Sequence, residues 1–427
     1  MLGVYMEAHN PWWFGETHPK YLEWESSEIK WTPRLINEFR IKPFSLNFIV
    51  GPRQIGKTTA IAIYIHKNLL KRLKPEAIFY FACDEISDFR ELGEILDNYL
   101  SFRESRGVKS SIIFLDEITF VDEWWRALKS RIDLGKLSKD VIFVSGSASL
   151  ELIAGKERFP GRRGHGRDHY ALPVSFDEFV SQIKKIPVKK YDFSKNIIDN
   201  ALKANKLLKR ELTETFEIYL RTGGFPLAIK EFLTSGKTWN AYKTYMDWLK
   251  TDIVRTRKSE KTTKEILSYI LNARLTPISW NNIAKETSIS SPNTIRSYIE
   301  FLEDLFILKV LYWIGTDGKI MPRKNKKIHV TDPFLYDALA KWTRVNIFDE
   351  QKVESILAMH LNRIGDIFYW KNSTEVDVIL KYEGKLLGFE AKWSIKTPGR
   401  RPFNTRILDK KTIPIFLASI KWQSKQL

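Results

Sequence analysis

Cysteine is almost absent: Cys83 stands alone, so the chain can form no disulfide within itself. That fits a reducing compartment. No apolar run approaches the roughly 20 residues of a membrane helix. The N-terminus has no basic stretch leading into an apolar core, so no secretory leader is expected. The expectation is a soluble, cytoplasmic protein with no membrane partner. Internal repeats and low-complexity tracts are also missing, which sets repeat architectures aside. Acids are the minority, 51 against 69 lysines and arginines, for a net charge of +18. A polyanion such as nucleic acid is one reading of that excess, and a lysine-rich solvated surface is the other.

Apolar residues make up 43% and charged residues 28%, a globular balance. At 427 residues the chain has room for about two to four domains. The aromatic stretch Asn10-Pro11-Trp12-Trp13 reads as an ordered lead-in. From Ser45 onward short apolar runs alternate with helical stretches. Strands are expected at Ser45–Val50, Ala77–Cys83, Ser111–Leu115 and Val141–Ser145, and a helix at Thr58–Arg72. This is the pattern of a parallel sheet covered on both faces, an α/β core. After Pro173 the periodicity is helical, with Lys184–Arg210 read as a solvated helical stretch. Strand signals return at Phe306–Ile314, Lys327–Val330, Ile367–Trp370, Glu375–Lys381 and Lys385–Ala391.

Gly51-Pro52-Arg53-Gln54-Ile55-Gly56-Lys57-Thr58 fits the G-x-x-x-x-G-K-[ST] pattern, with Thr59 next, between an expected strand and an expected helix. The glycines let the backbone close around phosphates, and the helix N-terminus faces the anion. Lys57 would reach the β and γ phosphates, and Thr58 would ligate Mg²⁺. Downstream, an apolar strand ends in Asp116-Glu117. Asp116 is placed to hold the metal and Glu117 to activate water as general base. Ser145, at the tip of another strand, either senses the γ phosphate or is an ordinary polar strand end. Arg162 and Arg163 either stabilise transition-state charge, in cis or from a neighbouring subunit, or form a solvated basic loop.

Those segments, with Val144-Ser145-Gly146-Ser147, Gly161-Arg162-Arg163, Pro173–Phe179, Gly223-Gly224-Phe225-Pro226 and the Asn10–Trp13 lead-in, carry a resemblance. The chain resembles archaeal AAA+-type ATPases with a C-terminal winged helix and a PD-(D/E)XK nuclease-like domain. The resemblance implies an AAA+-like P-loop core after the lead-in (1–180), a helical lid (181–258), a winged helix (259–332) and a small α/β nuclease-like domain (333–427). It implies ATP as the nucleotide. It places Pro226 in the lid near the base; a helix-breaking turn is the other reading. Its lid arginine has no clear counterpart, Arg221 being the nearest.

Ile283-Ala284-Lys285 and the stretch Ser290–Tyr298 read as helix–turn–helix, with Ile295, Ile299 and Leu302 facing inward. Asn293, Thr294 and Arg296 would then face DNA. Arg323, Lys324 and Lys326, in the Pro322–Lys327 run, add a basic patch for phosphates. A protein contact or a lid extension is the other reading of these helices.

Near the C-terminus Glu375 and Asp377 share one face of a strand, and Glu390 and Lys392 share a face of the next. Together Asp377 and Glu390 would hold a second Mg²⁺ or Mn²⁺, with Lys392 orienting the attacking water. Glu354, heading an expected helix at 354–363, would be a further ligand. Glu and Lys are common enough here for this spacing to arise by chance, so a binding module is the other reading. The function expected is Mg²⁺-dependent ATP binding and hydrolysis coupled to DNA binding or processing. Alternatives are a nucleotide-controlled switch with a protein partner, and a DNA motor or loader. A homo-oligomer is compatible with each.

Overall fold

The computed structural model describes residues 2–146, 157–194, 197–392 and 402–421. Ser147 lies outside them. The chain divides into two compact units, Met1–Leu172 and Pro173–Leu427. Among the described residues no helix is long and apolar enough to cross a membrane.

The first unit is built on five parallel strands: β1 (Ser45–Val50), β2 (Ile78–Ala82), β3 (Ile112–Asp116), β4 (Val141–Ser145) and β5 (Asp168–Tyr170). Their order across the sheet is β2-β3-β4-β1-β5. Every residue of β1, β3 and β4 is buried. Their β-branched and aromatic runs suit a sheet with helices on both faces. The order reverses at β1. The chain leaves β1 for the far edge, returns through β3 and β4, and then adds β5 on the other side. Ligands of open α/β sheets sit at such a switch point, beyond the carboxyl ends of the strands.

Register brings three strand tips level. Leu115 pairs with Val144, so Asp116 and Ser145 are neighbours at the next step, and Ser145 also pairs with Ile49. The Lys57–Tyr64 helix starts directly after the β1 loop, and a π turn, Ile65–Leu69, continues it.

The lead-in covers the edge strand β2. Asn10 donates to the Tyr80 carbonyl at 2.9 Å and accepts from the Tyr80 N–H at 2.7 Å, so its amide pairs with the edge as a strand would. The Trp12 and Trp13 indoles both donate to the Ile78 carbonyl.

In the second unit three helices, Glu260–Asn272, Trp280–Glu286 and Pro292–Asp304, precede an antiparallel ribbon of β6 (Leu308–Leu311) with β9 (Lys327–Val330). Between the ribbon strands lies a small hairpin, β7 (Trp313–Ile314) with β8 (Ile320–Met321). That hairpin joins a mixed sheet with β10 (Asp366–Lys371), β11 (Glu375–Tyr382), β12 (Lys385–Lys392) and β13 (Arg406–Asp409). Ile314 packs with Phe368, Val376 and Ile379 in one core. The sheet therefore crosses the expected boundary at 332. The helix Asp349–Asn362 packs on it.

Two expectations are corrected here. Lys184–Arg210 is not a solvated helical stretch. Residues 184–190 are irregular, and the helix Ile197–Ala204 buries Ile197, Ile198 and Ala201. Glu354 does not head its helix. The Phe348 N–H, accepted by the Gln351 side-chain oxygen Oε1 at 3.0 Å, starts that helix at Asp349 and leaves Glu354 inside it.

Candidate nucleotide site and a second polar cluster

The loop after β1 is shaped by two glycines with different duties. Gly51 sits against β5, where an added Cβ would lie 2.1 Å from the Ala171 carbonyl oxygen. Gly56 has φ +85°, the left-handed region that glycine enters at no steric cost. Pro52, Arg53 and Ile55 are buried, Gln54 is exposed, and Thr58 and Thr59 are half-buried. Lys57 is buried, and its ammonium donates to the Gly51 and Pro52 carbonyls at 3.0 and 2.9 Å. The loop is thus folded around its own lysine, at the N-terminus of a helix.

Asp116 is the centre of the polar network opposite. The Thr58 hydroxyl donates to it at 2.6 Å, the Tyr80 phenol at 3.1 Å, and the Ser145 hydroxyl donates to its other oxygen. The Glu117 N–H donates to it at 3.1 Å. Burial, and then Asp116, push the Tyr80 phenol well above its ordinary value, so it stays a donor. A buried carboxylate beside a threonine hydroxyl is an all-oxygen set of the kind Mg²⁺ takes, so these residues fit that ion. Glu117, half-buried, has φ +52°. A non-glycine residue there is uncommon and turns the side chain out of the strand direction.

The structure brings Gly51–Thr59, Asp116, Glu117 and Ser145 together, and it adds Tyr80, which the sequence reading missed. It separates the two arginines. Arg163 is tied to Asp168 at 2.7 Å and lies 4.9 Å over the Phe48 ring, so it braces β5 against β1. Arg162 is half-exposed and bound to Asp133 at 2.6 Å.

In the second unit Gly223–Pro226 is a turn between the helices Lys209–Thr222 and Pro226–Ser235. Gly224 donates its N–H to Asp332 at 2.9 Å, and a Cβ on Gly223 would meet the same carboxylate at 1.8 Å. Pro226 is the first residue of its helix, where it lacks no needed N–H.

Asn293, Thr294 and Arg296 are exposed on the Pro292–Asp304 helix, with Arg296 held by Glu300 at 2.7 Å. Arg323 and Lys324 are exposed as well. Lys326 is not. It is buried, its ammonium 5.3 Å over the Trp280 ring and its backbone paired to Ile278. The basic run therefore turns inward at Lys326, a correction to the expected phosphate patch.

Lys327 follows it into the interior. Its ammonium contacts Glu354 at 2.5 Å, Glu375 at 2.8 Å and Asp377 at 3.3 Å. Val378 pairs with Phe389, which sets Asp377 level with Glu390 on the next strand. Glu390 is fully buried and pairs with Lys392 at 3.1 Å. Asp377 also accepts from the Ala391 N–H at 3.1 Å. Burial pulls the Lys327 ammonium down, but the carboxylates around it, Glu354 foremost, hold it well above its ordinary value. Burial, reinforced by Asp377, raises the Glu354 carboxyl while Lys327 pulls it back down. The expected residues Glu354, Asp377, Glu390 and Lys392 are all brought together. They do not fit a divalent cation as expected, because an ammonium group stands among them. The signal was present: alternation puts Lys327 on the same strand face as buried His329.

Residues 44–180 match the family described as AAA domain, and residues 213–346 match one described as Domain of unknown function. No curated protein gives a match. Among solved structures, the Walker-type ATPase PABY2304 of Pyrococcus abyssi is 14% identical, covers 69% of this chain and 90% of its own, and has a TM-score of 0.39. The ORC2 protein of Aeropyrum pernix, solved in ADPNP–ADP complexes, is 10% identical over 70% of this chain and 88% of its own, with a TM-score of 0.37. At scores this low the fold assignment rests on the family match, the strand order and the loop. The first unit is a parallel-sheet P-loop core, most of it within the stretch that matches the AAA domain model.

Proposed function

We propose that the first unit binds and hydrolyses ATP with Mg²⁺, and that turnover is coupled to DNA binding by the second unit. The observation that carries the first part is the 2.6 Å bond between Thr58 and Asp116, at the mouth of a loop folded around Lys57. Gly51–Thr59 would cradle the phosphates through backbone N–H groups, and Lys57 would turn from the loop carbonyls to the β and γ oxygens. Thr58 and Asp116 would hold Mg²⁺, which when bound neutralises charge between the phosphates. Glu117 takes the proton of the attacking water, and Ser145 reports the γ-phosphate end of the site to β4. Arg162, at the surface, is the remaining candidate for charge stabilisation, in cis or from a second copy.

The DNA part rests on the exposed polar face of Asn293, Thr294 and Arg296, together with Arg323 and Lys324. Three helices followed by an antiparallel ribbon suit a winged helix, whose second helix of the turn enters the major groove. The lid (181–258), winged helix (259–332) and C-terminal α/β part (333–427) belong to this proposal, with the hairpin β7–β8 of the winged-helix stretch joined to the C-terminal sheet.

Fluorescence anisotropy with a labelled duplex over a salt series tests it. Replacing Arg296, Arg323 and Lys324 together by alanine should weaken binding and lower the salt slope by about one for each lost phosphate contact. Unchanged affinity and slope would remove DNA from the proposal. Tight ATP binding with slow turnover indifferent to duplex would favour a nucleotide switch, and preferential stimulation by long DNA a motor or loader.

A further inference from the structure

The second unit presents four carboxylates, Glu354, Glu375, Asp377 and Glu390, where a nuclease-like reading expects a divalent cation. Three of them converge on one ammonium group. Lys327 lies 2.5 Å from Glu354, 2.8 Å from Glu375 and 3.3 Å from Asp377. The remaining acid, Glu390, faces Lys392 at 3.1 Å, and Lys371 takes the other oxygen of Glu375 at 2.8 Å. With Lys327 in place these acids form no metal site, and among the described residues no other group of three or more acidic, histidine or cysteine side chains does.

We infer that the Lys327 ammonium takes the place a divalent cation would hold, so that this cluster is closed by its own lysine and serves as a structural node. The chemistry favours it. An ammonium has three donor protons, and three carboxylates converge on this one. Its side chain is 1% exposed, so water cannot take the place of those partners. A divalent ion entering here would have to expel a buried positive charge into the same low-dielectric space. Lys327 opens β9, and its partners come from the Asp349–Asn362 helix and from β11. The ion cluster therefore ties the ribbon to the mixed sheet. On this reading Lys392 has no metal-bound water to orient, and the second unit binds nucleic acid without cutting it. The last step rests on the DNA reading above; the closure of the cluster does not.

The test is Mn²⁺ binding by the full-length protein without nucleotide, followed by electron paramagnetic resonance. Wild type and Asp377→Asn should bind equal amounts, because the first unit is the same in both. Lys327→Met should lower Tm by an amount on the order of 10 °C, since it strands a buried acidic cluster. It should also gain one Mn²⁺ site that disappears in the Lys327→Met/Asp377→Asn double variant. Mn²⁺ binding by wild type that Asp377→Asn abolishes would overturn the closure, and so would Mn²⁺-dependent DNA cleavage lost in Asp377→Asn. A folded Lys327→Met that gains no site would overturn the assignment of that place to a cation. Should Lys327→Met not fold, the comparison of wild type with Asp377→Asn still decides. None of these outcomes touches the ATP site.

Discussion

Gly51→Ala is expected to disable the nucleotide loop and to destabilise the first unit together. A Cβ at residue 51 would lie 2.1 Å from the Ala171 carbonyl oxygen and 3.0 Å from the Ala171 Cβ. Neither can retreat easily. The Ala171 N–H donates to Val50 at 2.8 Å, directly after β5, so moving it means breaking the pairing of β5 with β1. Forced overpacking of this kind costs about 1–3 kcal/mol, or a fall in Tm of several degrees at this unit's size. The loop that relaxes the clash also loses the geometry that points its N–H groups at phosphate. Gly56→Ala supplies the contrast. Its nearest neighbour, the Thr59 Cβ, is 4.0 Å away, so its cost is the left-handed φ alone, about 1 kcal/mol. Thermal unfolding and ATP titration of the two variants should rank them in that order. Equal or reversed losses would show that β5 does not press on the loop.

Lys57→Ala should lower ATP affinity by about 10- to 100-fold, the equivalent of one lost charge-assisted interaction. The lysine is already buried and already organises the loop through the Gly51 and Pro52 carbonyls. Its removal therefore takes away both the phosphate partner and the two bonds that preform the cradle. Isothermal titration with Mg-ATP reads this directly, and affinity within twofold of wild type would place the phosphates elsewhere.

Much of the first unit was legible because its strands are unbroken runs of apolar β-formers. Ser45–Val50 and Val141–Ser145 match the observed β1 and β4, and β2 and β3 shift by one residue at their ends. β5 was not legible. Asp168-His169-Tyr170 has no apolar run, and backbone pairing to β1 makes it a strand. Tyr80 escaped for a related reason. In sequence it is one aromatic of an apolar strand, and only the β2–β3 register turns its hydroxyl toward Asp116.

In the second unit the ribbon strand Lys327–Val330 was readable from its apolar residues, but the fate of its lysine was not. Lys327 closes a run of basic residues, and such runs ordinarily face solvent. Its acidic partners lie 27 to 50 positions further along the chain, and only the fold assembles them. The carboxylates themselves were found by strand alternation, which gives faces but not occupants. The Gly-Gly-Phe-Pro segment shows the same limit: its turn was readable, whereas the Asp332 carboxylate that makes Gly223 necessary was not.

The most direct measurement is the rate of ATP hydrolysis by wild type and by Glu117→Gln, each with Mg²⁺ and with EDTA, alongside ATP affinity. The account predicts turnover by wild type only with Mg²⁺, a fall of about 10²–10⁴-fold in Glu117→Gln, as for loss of a general base, and ATP affinity unchanged within a few fold. Equal turnover in the two proteins, or turnover that survives EDTA, would contradict it.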